Sequence, residues 1–353
     1  MAGEKKLSIA HVMLSQGYGS NERQVELLIK ELAVTGVTQL LICRDDSPLP
    51  YHMDGVPNLS FIRMTGSSDP FLVAHFKLSK RFSMIHAHDN NGMQWALVHY
   101  LMFGIPYIIT VRDENIGQSG ILNHAVYNNA SYLVAVSKTS QDLLAKNFKR
   151  EVQVIPDCVS RLRPNMELVN NFRQSLKNRF VIGHIGPMVD KQKGQSTIIA
   201  AAKALNTRIP ELIVVFVGDG PDRNKLRAAA NGMPNIKFVG NKRNYIDYIA
   251  AFDAFVYPSY VEGQAGVLLD VLDIGVPTIA SNIPCISNLI QHGQSGILIK
   301  PGDSNALAEW ILCFKRDISL CRMLSAGGRE VVKQFSSNTM AAAYYHLYFK
   351  VLN

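Results

Sequence analysis

The chain has 353 residues, 47% of them apolar and 18% charged, with unremarkable glycine (25) and proline (15) counts; this excludes a disordered or low-complexity chain and, at roughly 150 residues per domain, predicts two domains. Five cysteines with no C-x-x-C pair exclude a disulfide scaffold and a zinc ribbon, and point to a reducing compartment. The net charge is +8, with 16 basic against 14 acidic residues up to Pro164 and 20 against 14 beyond it; that suits either plain solubility or an anionic partner.

Residues 7–14 form an apolar run with His11 inside it and no small-residue cleavage site, so it reads as a first buried strand rather than a leader. Val25, Leu28, Ile29 and Leu32 then recur at helical spacing and Gly36 ends the helix. Further strands are expected at 39–43, 84–87, 107–111, 132–136 and 152–155, with helical stretches between most of them. The longest apolar stretch, 97–111, is broken by His99, Gly104 and Pro106 and is too short to span a bilayer. Between Pro156 and Pro164 the periodicity stops, which marks a linker. A second series follows, with strands at 180–185, 212–217, 236–239, 254–257 and 278–280. Strands alternating with helices predict parallel sheets covered on both faces, here two doubly wound α/β domains in tandem.

Ligands of such sheets bind beyond the carboxyl ends of the strands, so the loops there carry the functional candidates. After the first strand, Gly17, Gly19, Ser20 and Asn21 lead into a helix whose N-terminus suits a phosphate; an ordinary strand–helix turn reads the same. His86 and His88 lie at i, i+2 on a strand and face one side, with no evident third metal ligand. Arg112 ends another strand, as a donor for a phosphate or sugar hydroxyl or as a partner of Asp113 or Glu114. In the second series, Lys191 and Lys193 follow a strand and suit a diphosphate. Gly218 and Gly220 mark a place where backbone crowds something. Glu262 stands in a loop and Asp270 eight residues on, a spacing that suits hydroxyl pairs of a sugar and a ribose.

The order of these loops resembles the retaining glycosyltransferases of family 4, which have the GT-B fold. The resemblance rests on Phe252-Asp-Ala-Phe-Val-Tyr-Pro-Ser259, Glu262-Gly263, Leu269-Asp270, Gly275-Val-Pro-Thr-Ile-Ala-Ser281, Gly293-Gln-Ser-Gly296 and Pro301-Gly-Asp303, together with Gly19-Ser-Asn-Glu-Arg23 and Val154-Ile-Pro-Asp-Cys-Val159. It implies two Rossmann-like domains facing across a cleft: an acceptor-binding domain at 1–164, a nucleotide-sugar-binding domain at 165–335, and a final helix at 336–353 crossing back to the first. It implies a nucleotide-diphospho-sugar donor, such as a UDP- or GDP-sugar, and transfer with retention to a glycan or lipid-linked acceptor in envelope polysaccharide or lipopolysaccharide synthesis. Arg112, Lys193 and Glu262 would be catalytic. Gly19, Ser20, His88, Lys191, Asn241, Gly263, Gln264, Ala265, Gly266 and Asp270 would bind substrate. No metal or cofactor is expected, because lysines and helix N-termini would offset the leaving-group charge. The chain departs from the family pattern at Pro187, where an arginine is usual, at Arg112 for a histidine, at Asp270 for a glutamate, and at Ala265 for a glycine. A non-catalytic binding protein on the same fold and a nucleotide-sugar epimerase are the alternative readings. No nucleic-acid motif or aromatic platform is present. The basic and apolar residues of 71–82, with Lys146, Lys149 and Arg150, are expected to meet an anionic membrane face or a phosphorylated lipid, which would place the protein in the cytoplasm or on the inner membrane surface.

Overall fold

The computed structural model describes residues 7–64, 75, 76, 78, 82–112, 121–177, 179–262 and 266–352. The chain divides into two compact units, Met1–Cys158 with Phe335–Asn353, and Val159–Gln334. The second unit begins a few residues before Pro164, for a visible reason. Ser160 N donates to Asp270 at 2.8 Å and Asn165 N to Asp247 at 2.7 Å, which ties the linker to the second unit.

The first unit is a seven-stranded sheet: β1 (Ser8–Met13), β2 (Thr38–Arg44), β3 (Leu59–Met64), β4 (Met84–Ala87), β5 (Tyr107–Val111), β6 (Tyr132–Ala135) and β7 (Val152–Val154), in the order β3-β2-β1-β4-β5-β6-β7. The second has six strands: β8 (Phe180–Ile185), β9 (Leu212–Val217), β10 (Ile236–Gly240), β11 (Ala254–Tyr257), β12 (Thr278–Ser281) and β13 (Ile297–Ile299), in the order β10-β9-β8-β11-β12-β13. Every pairing is parallel. Each order runs one way from the first strand of the unit, then reverses. The reversal lies between β1 and β4 in the first unit and between β8 and β11 in the second. A crevice opens at such a switch point because the connections on its two sides leave in opposite directions.

The central strands are mostly apolar and buried almost along their length, with His11, His86 and His184 as buried polar exceptions; Ile9, Val12, Val181, Ile182, Val214 and Val256 are fully covered. This is the pattern of strands covered on both faces. The final helix, Ser337–Leu352, belongs to the first unit and packs Tyr344, Leu347 and Tyr348 with Leu28, Leu32 and Ile108. Two strands were absent from the sequence reading. β3 carries Ser60 and Arg63 at exposed positions of an edge strand, and β13 has only three residues, so neither presents a long apolar run.

Candidate functional site

In the second unit the switch point collects Lys193, Glu262 and Asp270. The strand β8 runs into a loop and the short helix Asp190–Lys193. Gly194 follows at φ +67°, and a Cβ there would lie 2.3 Å from Pro258 O, so only glycine lets this turn pack against the loop after β11. The Cβ missing at Gly218 would lie 2.0 Å from Gly186 O, which explains the crowding at the end of β9. The turn buries Lys193 and sets its Nζ 2.9 Å from both oxygens of Glu262. Burial pushes the Glu262 carboxyl above the usual carboxylate range, while the Lys193 charge pulls it back. Glu262 stands in the loop ahead of the helix Gly266–Ile274, and Asp270 lies within that helix. Asp270 Oδ1 accepts from Ser160 N and Oδ2 from Tyr245 OH, both at 2.8 Å. Burial raises this carboxyl too, against the pull of those donors.

Lys191 is exposed on the short helix that buries Lys193. Asn241 is exposed just past the edge strand β10, with β9 and β8 between it and the reversal. Gly263, Gln264 and Ala265 lie outside the described residues, as do Asp113, Glu114 and most of 71–82.

In the first unit the corresponding place holds a polar cavity of about 220 Å³, lined by Ser15 and Asn21 after β1, His88, Asp89 and Asn91 after β4, and Arg112 after β5. Gly19 is the N-cap of the helix Ser20–Val34, and Glu22 reaches back to accept from Gly19 N at 2.7 Å. Gly19 and Ser20 therefore frame this loop but are not among the cavity's lining residues. Asp89 caps the helix Asn90–Phe103, accepting from Gly92 N at 2.7 Å and Leu14 N at 2.8 Å. Burial nonetheless lifts its carboxyl to about 6.

Arg112 pairs through Nε with both oxygens of Asp157, at 3.0 and 3.2 Å. The ion pair is buried, with the Arg112 side chain 1% exposed, and its Nη1 and Nη2 find no partner among the described residues. Arg150 donates to the carbonyls of Tyr127 and Asn128 at 2.7 and 3.0 Å, which leaves Lys146 and Lys149 as the exposed members of that basic cluster.

His86 and His88 do have a third histidine beside them. His11, one strand over on β1, brings the ligand atoms of all three within 4.8 Å. Five of the six ring nitrogens are already hydrogen-bonded. His11 meets His88 and Gln39, and His86 meets Tyr348 and Thr110. Of the six, only His88 Nδ1 is buried without a partner among the described residues. Burial holds all three rings neutral, His11 at about 4. The sequence reading missed His11, Gln39 and Asp157. His11 stood out only as a polar residue in an apolar strand, and Asp157 lay in a quoted motif with no role attached.

Comparison with known proteins gives two family matches. The model described as "Glycosyltransferase Family 4" matches residues 22–161 and that described as "Glycosyl transferases group 1" matches residues 179–317. The lipopolysaccharide core biosynthesis glycosyltransferase LpsD of Rhizobium meliloti (strain 1021) is 30% identical over 230 residues, which cover 63% of this chain and 64% of that protein. The putative teichuronic acid biosynthesis glycosyltransferase TuaC of Bacillus subtilis (strain 168) is 29% identical over 287 residues, 75% of this chain and 70% of that one. Among solved structures, Anabaena Alr3699/HepE in complex with UDP and glucose superposes with a TM-score of 0.83 at 19% identity, covering 98% of this chain and 100% of that one.

Proposed function

From the premise that this chain belongs to the family 4 glycosyltransferases of GT-B fold, we propose that it transfers a sugar, with retention, from a nucleotide-diphospho-sugar to a glycan or lipid-linked acceptor in envelope polysaccharide synthesis. The observation that carries the reading is the buried Lys193–Glu262 pair at the β8–β11 reversal. A buried ion pair contributes little net stability, since desolvation offsets most of the attraction. Its value is as a charge held ready in a site from which water is excluded.

In this reading, cleavage of the sugar–phosphate bond leaves negative charge on the diphosphate. The Lys193 ammonium meets that charge, and the positive end of the helix Gly266–Ile274 adds to it. Glu262 accepts hydroxyls of the donor sugar. Asp270 keeps a second lone pair on each oxygen for the ribose hydroxyls. Charge stabilisation is assigned to these groups, and no metal is needed for it. With Glu262 engaged by Lys193, the acceptor hydroxyl enters on the face that the diphosphate leaves, and a phosphate oxygen takes its proton. Arg112 and His88 belong to the acceptor side. The names of the lipopolysaccharide and teichuronic acid relatives support an envelope glycan as acceptor. Among the described residues no helix is long and apolar enough to cross a membrane, and Lys146 and Lys149 are the exposed charges proposed to rest on an anionic surface.

The test is thermal unfolding with UDP, GDP, ADP and CMP on the wild type and Lys193→Ala. A nucleotide at 100 times its dissociation constant stabilises by about 2.7 kcal/mol. One nucleoside diphosphate is expected to raise the midpoint in the wild type and not in the variant. No rise with any of them would sink the donor site and return the chain to the non-catalytic reading.

A further inference from the structure

The first unit holds a chain of side-chain hydrogen bonds whose direction is forced. It begins at Gln39, fully buried on β2. Gln39 Nε2 donates to Ile29 O at 3.0 Å. A carbonyl only accepts, so the amide cannot be turned round, and Gln39 Oε1 faces His11 Nε2 at 3.1 Å. His11 Nε2 therefore carries the proton. The ring is buried and neutral, so it has one proton only, and His11 Nδ1 is a bare acceptor. His88 Nε2 lies 3.1 Å from that atom and must donate to it. His88 is also neutral, which leaves its Nδ1 as an unprotonated lone pair. That atom is the one ring nitrogen of the three histidines with no partner among the described residues, and His88 lines the polar cavity.

The charges around the cavity are already offset. Arg112 is paired with Asp157, and Asp89 is held by backbone N–H groups. Such a site suits a neutral ligand that both donates and accepts. Arg112 supplies donors through Nη1 and Nη2, which have no partner among the described residues, and His88 Nδ1 supplies the acceptor. We propose that Gln39 and His11 are positioning residues that lock His88 in its Nε2–H tautomer, so that Nδ1 takes a hydroxyl of a neutral sugar bound in the cavity. The sugar's place as acceptor rests on the transfer reading above; the tautomer does not.

The experiment uses the full chain labelled with ¹⁵N-histidine, with His88→Gln to identify the His88 resonances. Long-range proton–nitrogen correlation is expected to show the proton on His88 Nε2 and a bare Nδ1; a proton on Nδ1 would overturn the proposal. His11→Leu removes the acceptor that faces His88 Nε2 and is expected to give a mixture of tautomers. His11→Asn, whose amide oxygen stands near the lost Nδ1, is expected to keep the wild-type form. Gln39→Leu repeats the test one step back, should His11→Leu fold poorly. A single unchanged tautomer in both leucine variants would show that the chain does not set it. Methyl α-D-glucopyranoside is expected to shift the His88 Nδ1 resonance in the wild type, and an unmoved resonance would overturn the hydroxyl contact. Stabilisation by any of UDP, GDP, ADP and CMP reads the second unit separately. Its absence from the wild type with all four would count against the transfer reading while the tautomer result stood.

Discussion

The two switch points differ in how their polar groups are satisfied. At β8–β11 the charged groups are paired, Lys193 with Glu262, and Asp270 with Ser160 and Tyr245, while the neutral Gln195 Oε1 and Ser259 Oγ are buried without a partner among the described residues. At β1–β4 a buried guanidinium and a buried imidazole each keep polar atoms without a partner among the described residues. A buried polar atom with no partner costs about 1–3 kcal/mol, so such atoms mark places where a ligand completes the structure. Groups that are already paired are poised differently, since a ligand there must exchange with a partner in place. The comparison teaches that the same topology supplies one site whose charged groups are paired within the fold and one whose guanidinium keeps two nitrogens without a partner among the described residues.

The largest expected effect separates the two units by acid. Burial holds His11, His75, His86, His88 and His99 of the first unit neutral, and His184 in the second. Each has a folded pKa below its unfolded value near 6.5, so below that pH the unfolded chain binds the extra protons. Stability is therefore full above pH 6.5 and is lost as pH falls toward 4, at up to about 1.4 kcal/mol per pH unit for each histidine. The first unit should unfold before the second between pH 6 and 4. Tryptophan fluorescence follows it, because Trp95 sits in the first unit and Trp310 in the second. Simultaneous loss of both signals would break the comparison.

Removing one member of a buried pair comes next. Lys193→Ala strands Glu262 and Arg112→Ala strands Asp157, each at about 3–5 kcal/mol by denaturant unfolding. Neutralising the stranded partner as well, with Glu262→Gln or Asp157→Asn, should recover much of that loss. The functional losses should diverge: Lys193→Ala abolishes stabilisation by whichever nucleoside diphosphate stabilises the wild type, while Arg112→Ala keeps it and slows transfer. If Arg112→Ala left turnover and acceptor affinity unchanged, Arg112 would have no part in the reaction. The smallest effect is Tyr245→Phe, which removes one hydrogen bond to the Asp270 carboxylate and should cost about 1.5–3 kcal/mol in a denaturant midpoint. A change within error would mean water replaces the hydroxyl there.

The sequence alone determined the alternation of strands and helices, the two-unit organisation in tandem, and the segments after the strands that carry Lys193, Glu262, Asp270, His88 and Arg112. These follow from local rules: apolar runs of strand length, helical periods, and glycine where backbone must approach closely. Tertiary structure decided which of these side chains meet. Strand order places β1 beside β4, and so His11 beside His88, although 77 positions separate them. It sets Asp157, from the segment after β7, against Arg112, and Gln39 of β2 against His11. The order of strands depends on which apolar faces pack together, a long-range balance that no single segment records. For that reason the residue types at the site could be read from the chain, whereas the direction of the Gln39–His11–His88 chain could not.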